Sequence, residues 1–224
     1  EEFSKIIEKI KERLEDKNLD FKKLLKYAAF FHDLGKVSPE FQKTINNNYY
    51  HRLDNFPKIR HNILSLFFIN KERIKEICDN DESLYSTILS SIAFHHWRKD
   101  EKEYLLHLNE KLVKACEVLL NEDNGEKLAN ELKEHFKGFK INGERAEDLI
   151  SFDTHLAKHI KEGGDLINVG IIPPYTLYFL PEKLKVEVKT KIDLNLWIFL
   201  SGFLMRLDHF SSFCEKENLS FEIE

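Results

Sequence analysis

The sequence predicts an all-α protein with a small irregular or β-like insertion before its last helix. Two observations favour this class. Charged residues make up 33% and apolar residues 42% of the 224 residues, with only 8 Gly and 5 Pro, as in compact, helix-rich proteins. Apolar residues also recur at spacings of three and four along most of the chain, which is the period of an amphipathic helix. We expect a single domain over 1–224.

The apolar spacing places helices along nearly the whole chain, beginning with the amphipathic stretch EEFSKIIEKIKERL. The predicted helices are 3–15, 20–33, 61–78, 83–97, 104–120, 126–136, 144–162 and 190–214. Gly35 follows the second of them and is predicted to be its left-handed C-cap. Gly163 and Gly164 open the insertion, about 163–189, in which LKVEVKTK is the most strand-like stretch.

Several classes of protein are disfavoured. No apolar run approaches the roughly 18 residues that a membrane span needs, and there is no phosphate-binding loop of a motor protein. The cysteines Cys78, Cys116 and Cys214 are odd in number and widely spaced, so we expect reduced, buried thiols in a cytoplasmic protein. The net charge of -5 gives no global attraction to nucleic acid, so any such binding must come from a local patch.

Ionisable side chains continue the apolar faces of four predicted helices. His32 extends the face of Ala28, and His61 aligns with Leu64 and Ser65. The other three residues of this kind are His95, His96 and Asp208. Each of these side chains is expected to point toward the interior.

A metal site accounts for this pattern better than a plain core does. A lone buried His is usually an ordinary hydrogen-bonded residue. A buried carboxylate is costly, however, and no Lys or Arg shares the helix face of Asp33 or Asp208. Divalent cations would offset that cost, and the mixture of imidazoles and carboxylates suits Mn, Fe, Co, Ni or Zn, with Mg or Ca possible. Neighbours on a helix point about 100° apart, so His32 could hold one ion while Asp33 bridges to a second. Two such ions suit displacement at phosphorus.

The order His-Asp, His, His-His, Asp on helices resembles the HD superfamily of metal-dependent phosphohydrolases. Within it, HDLGKVSPEFQ, RHNILS, AFHHW and GFLMRLDHFSS resemble the HD nuclease of type I CRISPR systems, the nuclease half of the effector helicase-nuclease. The resemblance spans residues 30–212. It implies a helical HD bundle that cleaves single-stranded DNA in antiviral defence, on the strand displaced by a guide RNA. The implied partners are a helicase and the guide-RNA surveillance complex.

The resemblance also implies roles for the matching residues. His32, Asp33 and Asp208 would hold the first metal ion. The second ion would be held by Asp33, His61, His95 and His96. Lys36 corresponds to the lysine of the family that steadies the phosphate or the developing charge. The family has a further histidine on the preceding helix, which we expect upstream of Glu1 because no His precedes His32.

Nucleic-acid contacts are expected beside the metal site. Trp97 stands where the family often has Gly, and it is either a core aromatic or a ring on which a base stacks. Arg60, Arg98 and Lys99 are either solvated charges or contacts to the sugar-phosphate backbone.

Two alternative functions remain open from the sequence. An HD phosphohydrolase acting on nucleotides or cyclic nucleotides would use nearly the same ligands. A non-catalytic module with a structural metal is also conceivable, although closed structural sites usually have four ligands and favour Cys. His155 and His159 lie four apart but lack the Glu of H-E-x-x-H, so we interpret them as a solvated face.

Overall fold

The computed structural model describes residues 2–16, 19–45, 53, 55–95, 110–172 and 193–217. These residues are predominantly helical, which confirms the all-α prediction. The α-helices are α1 (Glu2–Glu15), α2 (Phe21–Phe31), α3 (Pro39–Ile45), α4 (His61–Ser65), α5 (Lys71–Ile77), α6 (Glu82–Phe94), α7 (Glu110–Leu120), α8 (Asn124–His135), α9 (Thr154–Lys161) and α10 (Leu194–Lys216). A two-stranded antiparallel hairpin, β1 (Lys140–Ile141) and β2 (Glu144–Arg145), lies between α8 and α9.

Helix α6 is the centre of the core. Every residue from 84 to 94 is buried, including four Ser and Thr residues, so this helix is surrounded on all sides rather than amphipathic. Helices α2, α4 and α10 pack around it, and α7 packs against α9. The predicted metal ligands that the structure describes lie on, or at the ends of, α6 and these three helices.

Short polar side chains fix where the helices begin. In each case the side-chain oxygen of the N-cap residue accepts a hydrogen bond from the backbone N–H three residues later, which satisfies a donor that the first helical turn leaves unpaired. The caps are Asp20 for α2, Asn70 for α5, Asp81 for α6, Asp153 for α9 and Asp193 for α10.

Two of the predicted helices, 61–78 and 144–162, are wrong as single elements. The first is divided into α4 and α5, and the second contains β2, a 3-10 turn (Ala146–Leu149) and then α9. The break occurs because the chain near Phe67 to Asn70 pairs with residues 149–153. Asn70 N–H donates to the Leu149 carbonyl at 2.9 Å, and Asp153 N–H donates to the Phe67 carbonyl at 2.8 Å. This long-range pairing satisfies the backbone groups that a continuous helix would otherwise use.

The predicted left-handed cap at Gly35 is also wrong. Gly35 lies inside a 3-10 turn (Leu34–Val37) and is absent from the positive-φ glycines. It is buried against α4, where a Cβ atom would collide with the carbonyl of His61 and lie 2.7 Å from the Ser65 nitrogen. The glycine is needed for close approach between two segments rather than for an unusual backbone conformation. Helix α3, which follows this turn, was not predicted.

The hairpin has a recognisable turn. Asn142 and Gly143 connect the two strands with φ values of 53° and 89°. Two successive positive φ angles define the type I′ turn that Asn-Gly favours in hairpins. The dipeptide is therefore a signal in the sequence that the helical prediction for 144–162 overlooked.

The insertion is described only in part. Residues 163–172 contain a 3-10 turn (Ile167–Val169) and two glycines at positive φ, Gly163 and Gly170. LKVEVKTK lies outside the described residues, as do the C-terminal end of the predicted helix 83–97 and the start of 104–120. No helix in the described ranges combines the length and the apolar character that crossing a membrane requires.

Candidate metal centre

The His-Asp pair lies where α2 gives way to a tighter turn. His32 is the C-cap of α2, and its N–H still donates to the Ala28 carbonyl. Asp33 follows at φ -103° and ψ -1° and begins the 3-10 turn. The end of the helix thus places an imidazole and a carboxylate side by side next to the core.

The last described helix completes a cluster of three ligands. Nε2 of His32 lies 3.3 Å from Oδ1 of Asp33 and 3.7 Å from Oδ1 of Asp208 on α10. The ligand atoms of these three residues all lie within 4.8 Å of one another. These are the residues expected at the first metal, and among the described residues no other group of three His, Cys, Asp or Glu meets this distance.

Two more predicted ligands lie beside the cluster. Nε2 of His61, at the start of α4, is 3.5 Å from Oδ1 of Asp33. The ring of His95, the C-cap of α6, stands edge-on to that of His32 with centroids 5.2 Å apart. His96 lies outside the described residues. The fold therefore brings together five of the six residues predicted to hold metal.

The imidazoles of His32 and His95 are oriented in the same way. Nδ1 of His32 lies 2.6 Å from the Ala29 carbonyl, and Nδ1 of His95 lies 2.8 Å from the Ile92 carbonyl. A protonated Nδ1 donates to each carbonyl, which leaves the Nε2 lone pair as the metal-binding group. Each helix end uses a carbonyl of its own last turn to fix the tautomer of its histidine.

The donor atoms fit a divalent metal. Nε2 of His32 and Oδ1 of Asp33 are buried and make no hydrogen bond within the described part of the chain. Buried polar atoms without such partners are costly, and a metal ion would satisfy both at once. Side-chain exposure rises from 9% at His32 to 24% at His61 and 34% at Asp33. The cluster is therefore closed on the core side and open to solvent on the other.

Lys36 changes the expected charge balance. Its Nζ lies 2.6 Å from Oδ2 of Asp33, so the expectation that Asp33 lacks a basic neighbour is wrong. In a 3-10 turn residues three apart eclipse each other, which aligns Lys36 with Asp33. Only Oδ1 of Asp33 then faces His32 and His61. The lysine also lies over the ring of Phe41, 5.7 Å from its centroid.

Helix α3 supports this lysine and the adjacent histidine. Nε2 of Gln42 donates to the Lys36 carbonyl at 2.7 Å, and the ring of Phe41 stands edge-on to His61 with centroids 5.7 Å apart. Both residues belong to the HDLGKVSPEFQ motif, but sequence reasoning assigned them no structural role. The only indication of either residue in the sequence is that it belongs to this motif.

The remaining predicted residues divide into two groups. Arg60 is partly exposed and immediately precedes His61 as the N-cap residue of α4. Trp97, Arg98 and Lys99 lie outside the described residues. His155 is exposed, whereas His159 is partly buried with its Nε2 3.0 Å from the Asp165 carbonyl.

The thiols are placed as expected. Cys78, Cys116 and Cys214 are all buried and free. Burial raises the pKa of Cys116 to about 12.

A helical core whose His-Asp pair meets a histidine and an aspartate from neighbouring helices defines a metal-dependent hydrolase of the HD type. The family described as "Cas3, HD domain" matches residues 2–156, more than half of the chain, and the chain belongs to that family. It is thus a CRISPR-associated HD nuclease or phosphohydrolase. No curated protein and no solved structure matches the chain. Asp208 lies beyond the matched residues, so the family match does not bear on it; the structure places it in the cluster, where the sequence analysis had expected it.

Proposed function

We propose that this chain is a metal-dependent nuclease that cleaves single-stranded DNA, the strand displaced when a guide RNA invades a duplex, in CRISPR antiviral defence. The observation that carries the proposal is the cluster of His32, Asp33 and Asp208, open to solvent, in a member of the Cas3 HD family. The domain would span 1–224 and include the insertion at about 163–189.

Six residues would hold two divalent ions, with Mn, Ni, Co, Fe or Zn favoured over Mg or Ca by the imidazole donors. His32, Asp33 and Asp208 would form the first site. Asp33, His61, His95 and His96 would form the second. Oδ1 of Asp33 lies 3.3 Å from Nε2 of His32 and 3.5 Å from Nε2 of His61, which are one histidine of each proposed site. When bound, the ions would supply charge stabilisation at phosphorus and a nucleophile at neutral pH.

The chain's own residues would orient and attract the substrate. Carbonyls of α2 and α6 hold the rings of His32 and His95 with Nε2 toward the ions. Lys36 is held 2.6 Å from Asp33, where a phosphate oxygen could exchange for the carboxylate as its partner. Arg60, with Trp97, Arg98 and Lys99, would contact the backbone and bases of the strand.

The proposed partners follow from the same reasoning. A helicase, fused or separate, would supply the single strand, and the guide-RNA surveillance complex would expose it. No phosphate-binding loop of a motor is present in the sequence to open a duplex. We place this activity in the cytoplasm, where invading DNA is met.

The test is incubation of the purified protein with Mn²⁺ or Ni²⁺ and each of three substrates: circular single-stranded DNA, linear duplex DNA, and a panel of nucleotides and cyclic nucleotides. Cleavage of the circular single strand, abolished by EDTA and absent from Asp33→Asn, is the expected result. Circular DNA has no ends, so its cleavage requires an endonuclease.

Three outcomes would contradict the proposal or a part of it. Hydrolysis of nucleotides with intact DNA would support the nucleotide phosphohydrolase instead. Metal binding without turnover of any substrate would support a structural role for the ions. Blunt duplex degraded as fast as single strands would remove the proposed dependence on a helicase.

A further inference from the structure

Ser65 connects the two segments that carry metal-binding side chains. It is the last residue of α4, one helical turn after His61, and it is completely buried. Its Oγ lies 2.8 Å from the Gly35 nitrogen, the His32 carbonyl oxygen and the His61 carbonyl oxygen. The hydroxyl therefore accepts the Gly35 N–H and shares its single proton between the two carbonyls.

The His32 carbonyl needs this partner because α2 ends there. Continuing the helix would have paired that carbonyl with the N–H of Lys36, but that N–H donates to the Asp33 carbonyl in the 3-10 turn. Ser65 supplies the missing hydrogen bond from a different helix. The end of α2 is thus capped by the helix that begins with His61.

The same junction requires Gly35. A Cβ atom there would collide with the His61 carbonyl, so the turn after the His-Asp pair lies directly against the backbone of α4. Backbone contact of this kind fixes distance more tightly than contact between long side chains. It leaves the separation of Asp33 and His61 little room to vary.

We infer that Ser65 is a positioning residue for metal binding: its hydroxyl holds the His32–Asp33 segment and the His61 segment at the separation that lets one metal centre draw ligands from both. The 3.5 Å between Nε2 of His61 and Oδ1 of Asp33 is the distance that this contact maintains. The inference rests on the proposed function for the identity of the centre, but it concerns binding of the ions and not cleavage.

The experiment is calorimetric titration with Mn²⁺ of the protein and of the variants Ser65→Ala and Ser65→Cys, with Co²⁺ absorption spectra as a second readout. Ser90→Ala is the matched control. Ser90 is equally buried, and its Oγ accepts the N–H of Ile172 at 2.9 Å, so it also joins distant segments, but Ile172 is no proposed ligand and does not adjoin one.

Ser65→Ala should weaken Mn²⁺ binding about 10-fold or more, in the range measured for partners that orient metal ligands. Its Co²⁺ spectrum should also change. In Ser65→Cys the side chain has a similar size, but the thiol is a weaker hydrogen-bond donor and acceptor than the hydroxyl. Its affinity for Mn²⁺ should therefore lie between that of the parent protein and that of Ser65→Ala. Ser90→Ala should bind as the parent does, even if it unfolds at a lower temperature.

Wild-type affinity in a folded Ser65→Ala variant would overturn the inference, as would an equal loss in Ser90→Ala. If Ser65→Ala does not fold, Ser65→Cys decides the matter: weakened binding supports the inference and unchanged binding refutes it. A parent protein that binds Mn²⁺ but cleaves no DNA would contradict the proposed function and leave this inference standing.

Discussion

At the scale of single residues, the centre depends on one carboxylate with different neighbours on its two oxygens. Oδ1 of Asp33 faces the histidines, and Oδ2 pairs with Lys36. Sequence periodicity could identify His32, because it continues the apolar face of α2, and Asp33 could be identified as the carboxylate that directly follows it. It could not identify the Lys36 pair, because the helical period does not apply across a 3-10 turn.

Asp33→Asn tests the position of this carboxylate. The amide retains the size of the side chain but lacks the charge and one acceptor oxygen, so we expect both Mn²⁺ binding and cleavage to fall by more than about 100-fold. His61→Ala should reduce binding and cleavage less, because in the proposed arrangement His61 holds one ion and Asp33 holds both. Metal titration and initial rates on single-stranded DNA measure both effects. A nearly normal Asp33→Asn beside an inactive His61→Ala would contradict a shared role for Asp33.

Lys36→Met separates the role of the lysine from that of the ligands. Without a positive charge near Asp33, Mn²⁺ should bind as tightly as before or more tightly. Cleavage at saturating Mn²⁺ should nevertheless fall by about 100-fold, because the variant lacks the cation that we propose stabilises the phosphate.

The matched control is Lys43→Met on α3. Lys43 is exposed and pairs only loosely with Glu40, at 3.4 Å, so neither measurement should change. Weaker Mn²⁺ binding in Lys36→Met would instead show that the lysine supports Asp33 as a ligand.

At the scale of elements, the fold departs from the helical prediction where distant segments meet. The predicted helix 61–78 is interrupted because residues near Ile69 pair with residues near Ile150. Local spacing contains no information about a partner so far along the chain, and tertiary contact overrides helix propensity there. Where α2, α6 and α10 make their own hydrogen bonds, periodicity located them within a few residues.

Two glycine substitutions should have opposite effects. Gly35→Ala introduces a Cβ where the His61 carbonyl lies, and overpacking of this kind costs about 1–3 kcal/mol. Gly202→Ala, inside α10 with open space around its Cβ, should stabilise by about 0.5–1 kcal/mol because Ala favours the helix. Urea unfolding of the metal-free protein measures both. Equal destabilisation by the two changes would refute the close approach at Gly35.

The cap of α10 should matter more than that of α2. The Asp193 carboxylate caps α10 and also forms an ion pair with Arg13 of α1, at 2.7 Å. The backbone N–H of Asp193 donates to the hydroxyl of Thr87 on α6 at 2.9 Å. Among the described residues, the Asp20 carboxylate only caps α2, where it accepts the N–H of Lys23 at 2.6 Å. Each Asp→Ala change should cost about 1 kcal/mol for the cap, and Asp193→Ala should cost up to about 1 kcal/mol more for the ion pair.

Added salt should narrow the difference between the two Asp→Ala variants, because it screens the partly exposed pair with Arg13. Asp193→Asn isolates this contribution, since Asn retains the capping oxygen but not the charge. Equal losses from Asp20→Ala and Asp193→Ala at low salt would show that the contacts to α1 add nothing.

At the scale of the whole molecule, the sequence predicted the all-α class and which helices contribute residues to the cluster. It did not predict how exposed the cluster is to solvent. Helical faces indicate direction, but the rim position of Asp33 and His61 depends on how α4 meets the turn after α2. The site that was expected in the interior is only partly so: His32 and His95 are buried, whereas Asp33 and His61 are partly exposed.

The core should weaken in alkali. Burial raises the pKa of the Cys116 thiol to about 12 from 9.0, so the folded protein retains a proton that the unfolded chain releases. The stabilisation is complete below pH 9 and is lost as pH rises toward 12. Burial also raises the pKa values of Tyr27 and Tyr85. These two tyrosines should therefore also lower the free energy of unfolding as the pH rises above 10.

We expect the free energy of unfolding to decrease from pH 9 upward, by about 1 kcal/mol per pH unit for each such group. In Cys116→Ala the free energy of unfolding should depend less on pH between pH 9 and 10. The variant should be less stable at every pH, because the smaller side chain leaves a cavity. Thiol alkylation gives an independent check: the buried cysteines should react at pH 8 only after unfolding. Rapid alkylation of Cys116 in the folded protein would contradict its burial.

The position of Asp208 has a consequence for the order of protein synthesis. His32, Asp33, His61 and His95 have all been translated before the ribosome reaches α7, whereas the carboxylate on α10 comes much later. Until α10 emerges and packs against α2 and α6, the nascent chain lacks the third ligand of the His32, Asp33 and Asp208 cluster. The carboxylate on α10 is thus the last of the predicted ligands to be synthesised, well after the other five.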